Sequence, residues 1–237
     1  MYKGLKMVNY IKEVIIKIDL PETFEFSETK MPKEIEKEVL KIFPIPEPKT
    51  IQGKELQFSG KEFIQKDLEK KEWHFFDSDR EKELVFVENA FFISYKKYEE
   101  FKKLRADWSS VINAIFDKYP EIQVNRIGLR YVNHIQLDKD RNNWKCVINE
   151  KLLHNFQLGL DNISRGFSII NLNEKGTKTN FQYGIHNPDF PSPIKNNIFI
   201  LDFDVFYEGI LTKKDILENT DTFHNMVKSL FSLSTSG

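Results

Sequence analysis

The sequence predicts an α+β fold, an antiparallel sheet backed by two long helices. Three observations lead there. Runs rich in Phe, Val and Ile recur along the chain, which holds 21 Phe against only 10 Gly and 9 Pro. Strands come in runs, about four and then about three, rather than alternating with helices. Only two segments, Tyr98 to Tyr119 and the stretch after Thr212, keep helical spacing over many turns.

In chain order, Val8 to Leu20 is β-branched and apolar and stops at Pro21, a first strand. Lys33 to Phe43 sets Ile35, Val39, Ile42 and Phe43 at helical spacing. Pro32 suits its first turn, and Pro44, Pro46 and Pro48 end it in a Pro-rich loop. Strands follow at about 51–60, 70–77, 81–87 and 90–96. The helix from Tyr98 turns Phe101, Leu104, Trp108, Val111, Ile112 and Ile115 to the core, and Pro120 ends the pattern. Gln123 to Leu137 is a long strand, 148–156 a short helical piece, and about 165–173, 178–186 and 197–207 are further strands. Thr212, three residues before Asp215, caps the last helix, whose apolar positions include Ile216, Phe223, Val227 and Leu230. Its middle, Asn219 to Thr222, is poor helix sequence and predicts a break.

Element order makes residues 1–119 and 120–237 two similar halves of one unit. That arrangement resembles the duplicated TATA-binding-protein-like fold, with one sheet face covered by helices and the other free.

Composition bounds function. The 35 Lys and Arg nearly cancel the 36 Asp and Glu, and the basic and acidic counts are 14 and 14 over 1–72, 8 and 9 over 73–118, and 13 and 13 over 119–237. A binder relying on counterion release must then concentrate its charge by folding. The single cysteine, Cys146, excludes an internal disulfide and cysteine-rich zinc patterns, and suits a reducing cytoplasm. No apolar run reaches the roughly 20 residues of a bilayer span, so no membrane association is expected. The five histidines form no metal-binding spacing, and the nucleophile elbow, Walker loop and dinucleotide fingerprint are all missing. No cofactor and no catalytic residue is expected. His224 reads as a capping or surface histidine, and the Glu-x-Lys triplets at Glu47 and Glu69 as chance.

The informative stretch is Arg126 to Ile135. Alternation sends Ile127, Leu129, Tyr131 and Ile135 to one face, and Arg126, Gly128, Arg130 and His134 to the other. Two of only six arginines share that face in a chain with 29 lysines, so the planar guanidinium is wanted there, beside an open notch at Gly128. Asp202 and Asp204 also share one strand face. Three readings follow: a cross-strand ion ladder, an anion-binding face of Arg126, Gly128, Arg130 and His134, or a divalent metal on Asp202 and Asp204. The loop from His186 to Pro193 sets Phe190 among three prolines, either as a plug folded onto the sheet or as a partner-binding tip.

The Trp73-His74-Phe75 strand, the helix with Phe101 and Trp108, the strand Arg126-Ile127-Gly128-Leu129-Arg130-Tyr131-Val132-Asn133 and Leu201-Asp202-Phe203-Asp204 come in an order that resembles a sporadically distributed, uncharacterised family of prokaryotic proteins. The resemblance spans nearly the whole chain, and its most specific part is the Arg-Ile-Gly-Leu-Arg-Tyr-x-Asn strand. The resemblance implies members that continue a little past the end of this chain. The family's patchy distribution implies an accessory component of a prokaryotic defence or toxin-antitoxin system. The expected function is non-catalytic recognition of a partner protein, nucleic acid or nucleotide. A metal-dependent phosphoryl-transfer enzyme or nuclease using Asp202 and Asp204 is the alternative.

Overall fold

The computed structural model describes residues 10–24, 26, 30–59, 62–138, 140–156, 158 and 163–236, with 54–59 and 62–68 as backbone. Nine strands form one antiparallel sheet: β1 (Ile11–Asp19), β2 (Ile45–Ser59), β3 (Glu62–Phe76), β4 (Lys82–Val87), β5 (Ala90–Tyr95), β6 (Val124–Gln136), β7 (Gly166–Glu174), β8 (Thr177–His186) and β9 (Ile198–Leu211). Their spatial order is β2-β3-β4-β5-β1-β6-β9-β8-β7, so β1 and β6 pair at the centre. The helices are α1 (Lys33–Val39), α2 (Phe101–Lys118), the short α3 (Glu150–Leu153) and α4 (Lys213–Ser234). The fold is α+β with a large antiparallel sheet, as the runs of strands predict.

Alternation along the central strands explains the layering. Val14, Ile16 and Ile18 of β1, Ile127 and Leu129 of β6, and Leu201, Phe203 and Val205 of β9 are all buried on the helix side. They meet Leu104, Trp108 and Ile112 of α2 and Ile216 and Phe223 of α4. Each such large apolar side chain contributes about 1.5–3 kcal/mol on burial. The other face of β1, β6, β9 and β8 mixes charged residues such as Lys17, Arg126, Arg130, Asp202 and Asp204 with Ile15, Val132, Ile200 and Phe206, and carries no helix in the described residues.

Several local expectations are corrected. The Pro-rich segment is the start of β2 rather than a loop, and Pro46 and Pro48 pair with Phe75 and Trp73 of β3. β2 is an edge strand, where a residue lacking N–H is tolerated on the side with no partner. Helix α1 stops at Val39, and the turn after it still buries Phe43 completely. β3 begins at Glu62, well before the expected start near residue 70, as a ribbon with β2 that extends beyond β4. The expected beginning of the first strand, at residues 8 and 9, lies outside the described residues.

Helix α4 is unbroken across Asn219 to Thr222. Thr220 is fully buried with its hydroxyl donating to Ile216 O, and Asp221 accepts from Arg105 Nε of α2 at 2.8 Å. Tertiary contacts there outweigh weak intrinsic propensity. The cap is as the sequence predicts: Asp215 N–H donates to the Thr212 hydroxyl, and the Asp215 side chain accepts from the Thr212 N–H.

Candidate functional site

On the open face, β6 and β9 carry a network of charges. Arg130 Nε and NH2 donate to the two carboxylate oxygens of Asp202 at 2.8 and 2.6 Å. Arg126 reaches Asp19 of β1 at 3.3 Å and Asp204 at 3.6 Å, and Lys17 bridges to Asp19 at 2.6 Å. Direct register sets Arg130 opposite Asp204, so the Arg130 bond to Asp202 runs diagonally. Of the three readings, the pairing seen is that of the ion ladder. Burial raises the Asp204 carboxyl above the ordinary carboxylate range, and Arg126 and Arg130 oppose the rise.

The notch expected at Gly128 is occupied by the chain itself. A Cβ at Gly128 would lie 3.1 Å from NH1 of Arg126, whose guanidinium also sits over the Phe206 ring at 4.5 Å. The glycine makes room for Arg126 to fold back along its own strand.

Four residues along β6 from Arg130, the open face changes character. His134 faces His186 of β8 across β9, with ring centroids 5.7 Å apart, and His186 lies 6.4 Å from Phe167 of β7. Burial lowers the pKa of His134 below its ordinary value, and His186 lowers it further. Arg165, just before β7, holds its guanidinium over Phe167 at 5.5 Å and over Phe190 at 5.6 Å. Arg165 is exposed and makes no ion pair among the described residues. Phe190 is 51 % exposed, so it is not a plug on the sheet. Its loop is shaped by Asn187, which donates to Ser192 O and accepts from the Asp189 N–H.

The structure thus brings His134 and Phe190 into one cluster and ties Arg126 and Arg130 into another. Sequence reasoning missed Arg165, Phe167 and His186. The scarcity of arginine was the available signal for Arg165, which sits directly before a strand.

His224, expected at the surface or a cap, is instead half-buried in α4. Its ring stacks on Phe101 at 3.8 Å and 3°, and its Nδ1 is 3.0 Å from the Tyr131 hydroxyl, itself 3.2 Å from that of Tyr98. His224, Tyr131 and Tyr98, with Tyr10, Asn133 and Phe231, line a groove of about 380 Å³ on the helix side.

Burial holds the pKa of both His134 and His224 below the ordinary 6.5. The unfolded chain therefore binds these protons more readily than the folded one. Stability should be full above about pH 6.5 and fall as pH drops through the lowered folded values. Melting temperature measured between about pH 8 and pH 5 should decline in the wild type and decline less in His224→Gln. Equal slopes in the two proteins would refute the assignment.

Among the described residues, no group of three His, Cys, Asp or Glu could hold a metal ion, and no helix is long and apolar enough to cross a membrane. No known family model and no curated protein matches the chain.

Proposed function

We propose that this chain is a non-catalytic recognition protein that holds a nucleotide or single-stranded nucleic acid on the open face of its sheet, where Arg165, Phe167, Phe190, His134 and His186 meet. The observation that carries this reading is Arg165, a guanidinium resting on two aromatic rings with no carboxylate paired to it among the described residues. Bases stack on aromatic and imidazole rings, each worth about 1–3 kcal/mol, while an unneutralised guanidinium takes the phosphate. Arg126 and Arg130 act as scaffold beside this site, because their partners are Asp19, Asp202 and Asp204.

The phosphoryl-transfer or nuclease alternative needs Asp202 and Asp204 as metal ligands. It is disfavoured because Asp202 is already held at both oxygens by Arg130. The resemblance to a patchily distributed prokaryotic family supports a role as an accessory defence or toxin-antitoxin component.

We also infer that 1–119 and 120–237 are copies of one TATA-binding-protein-like unit. The support is the strand order outward from the centre, β1-β5-β4-β3-β2 on one side and β6-β9-β8-β7 on the other. In each half the first strand sits innermost, the last strand lies beside it, and a helix ends the series.

Fluorescence anisotropy with labelled oligothymidylate and an RNA of equal length tests the binding reading. The wild type should bind, and Arg165→Ala and Phe190→Ala should each weaken binding by about tenfold, equivalent to about 1.4 kcal/mol. Arg80→Ala, which removes a charge paired with Glu47 in the other half, should have little effect. A wild type that does not bind, or variants that bind equally well, would overturn the proposal.

A further inference from the structure

The two edges of the sheet are built differently. β2 at one end has Pro46 and Pro48 in its sequence together with Lys49 and Lys54, the features by which natural edges resist pairing. β7 at the other end reads GFSIINLNE, without Pro or Lys and with Glu174 as its one charge. Its apolar side chains are exposed on both faces: Ile169 at 64 % on the open side, Ile170 at 39 % and Leu172 at 43 % on the helix side.

The turn into β8 fixes which backbone groups are free. Lys175 and Gly176, both with positive φ, make a two-residue hairpin turn, so Glu174 and Thr177 form a hydrogen-bonded pair. Alternation then directs the N–H and C=O of Phe167, Ile169, Asn171 and Asn173 away from β8, toward the edge. Beside Leu172, a recess of about 140 Å³ opens between β7, β8 and α4, rimmed by Met226 and Leu230. Thr179, also lining it, keeps a buried hydroxyl with no partner among the described residues.

We propose that β7 is a self-association edge: two copies of this chain pair β7 against β7, antiparallel, about a two-fold axis perpendicular to the sheet. A second copy is the occupant because the patch is self-complementary. Such an axis keeps each residue on its own face, so Ile170 and Leu172 of one copy meet those of the other and cover both recesses. The outward N–H and C=O groups then find partners in an identical strand. Both open faces stay on one side of the joined sheet. This inference is independent of the ligand reading.

Light scattering after size exclusion of the full chain tests it. The wild type should have twice the 28.1 kDa mass of one chain. Asn171→Pro deletes an outward N–H and leaves the β7–β8 ladder intact, and Ile169→Lys puts a charge on the edge. Both should be single chains with unchanged circular dichroism. If Asn171→Pro loses its spectrum, Ile169→Lys alone decides, since that side chain is largely exposed. A monomeric wild type, or a dimer that survives Ile169→Lys, overturns the proposal.

Discussion

Gly184→Ala should be among the most destabilising single substitutions in the sheet. Gly184 of β8 lies opposite Phe167 of β7 and has φ +150°, a conformation that L side chains rarely adopt. A Cβ there would be 2.0 Å from the carbonyl oxygen of Gly166 and 2.9 Å from the Phe167 Cα. Both atoms are backbone, so relief requires moving β7 itself. Strain at φ and overpacking each cost about 1–3 kcal/mol, so a loss of about 3 kcal/mol or more is expected. For a chain of this size that lowers the melting temperature by about 6–12 °C. Gly209→Ala is the control: its φ is +155° but the nearest contact, at 2.9 Å, is the Tyr207 side chain, which can swing aside. Thermal unfolding followed by circular dichroism should rank Gly184→Ala well below Gly209→Ala. Equal melting temperatures would refute the account. Since Phe167 and Arg165 adjoin this contact, Gly184→Ala should also lose oligonucleotide binding.

Arg130→Lys should destabilise more than a surface charge change normally does. The Asp202 side chain is only 12 % exposed, and Arg130 holds it through two parallel bonds. Lysine offers a point charge without the fork, so one carboxylate oxygen loses its donor inside the network. The unmet carboxylate costs about 1–3 kcal/mol, and because Arg130 is itself 46 % exposed, water screens the loss toward the lower end. Replacing both partners, Arg130→Met with Asp202→Leu, should recover part of the stability, because no unpaired charge remains. A double variant less stable than Arg130→Lys would contradict the explanation. Oligonucleotide affinity should be unchanged by Arg130→Lys, whereas a loss of affinity at full stability would make Arg130 a ligand contact.

What the sequence made legible follows from how local each signal is. The α2 face and the Thr212 cap were readable because helical spacing and a capping residue need only a few neighbours. The faces of β6 were readable because alternation is set by one strand alone. Pro46 and Pro48 misled because tolerance of proline depends on lying at an edge, which is a property of the whole sheet. Asn219 to Thr222 misled because Arg105, in another helix, supports that turn. Arg126 and Arg130 lie on one face of β6, as alternation predicts. That Arg126 fills the Gly128 notch, and that Arg165 meets Phe190 across two loops, depends on packing between distant segments.

The central position of β1 bears on how the chain is made. β1 pairs with β5 on one side and with β6 on the other, and β6 ends at Gln136. At typical synthesis rates of about 5–20 residues per second, β1 leaves the ribosome roughly 6–23 s before the end of β6 does. Once β5 has followed, for roughly the last 2–8 s of that interval, Val14, Ile16 and Ile18 belong to a five-stranded sheet whose edge is β1 itself, an unfinished margin of unsatisfied peptide groups. The nascent first half is therefore the stage most exposed to intermolecular pairing, and chaperone dependence should peak in ribosome-bound chains arrested before β6 emerges.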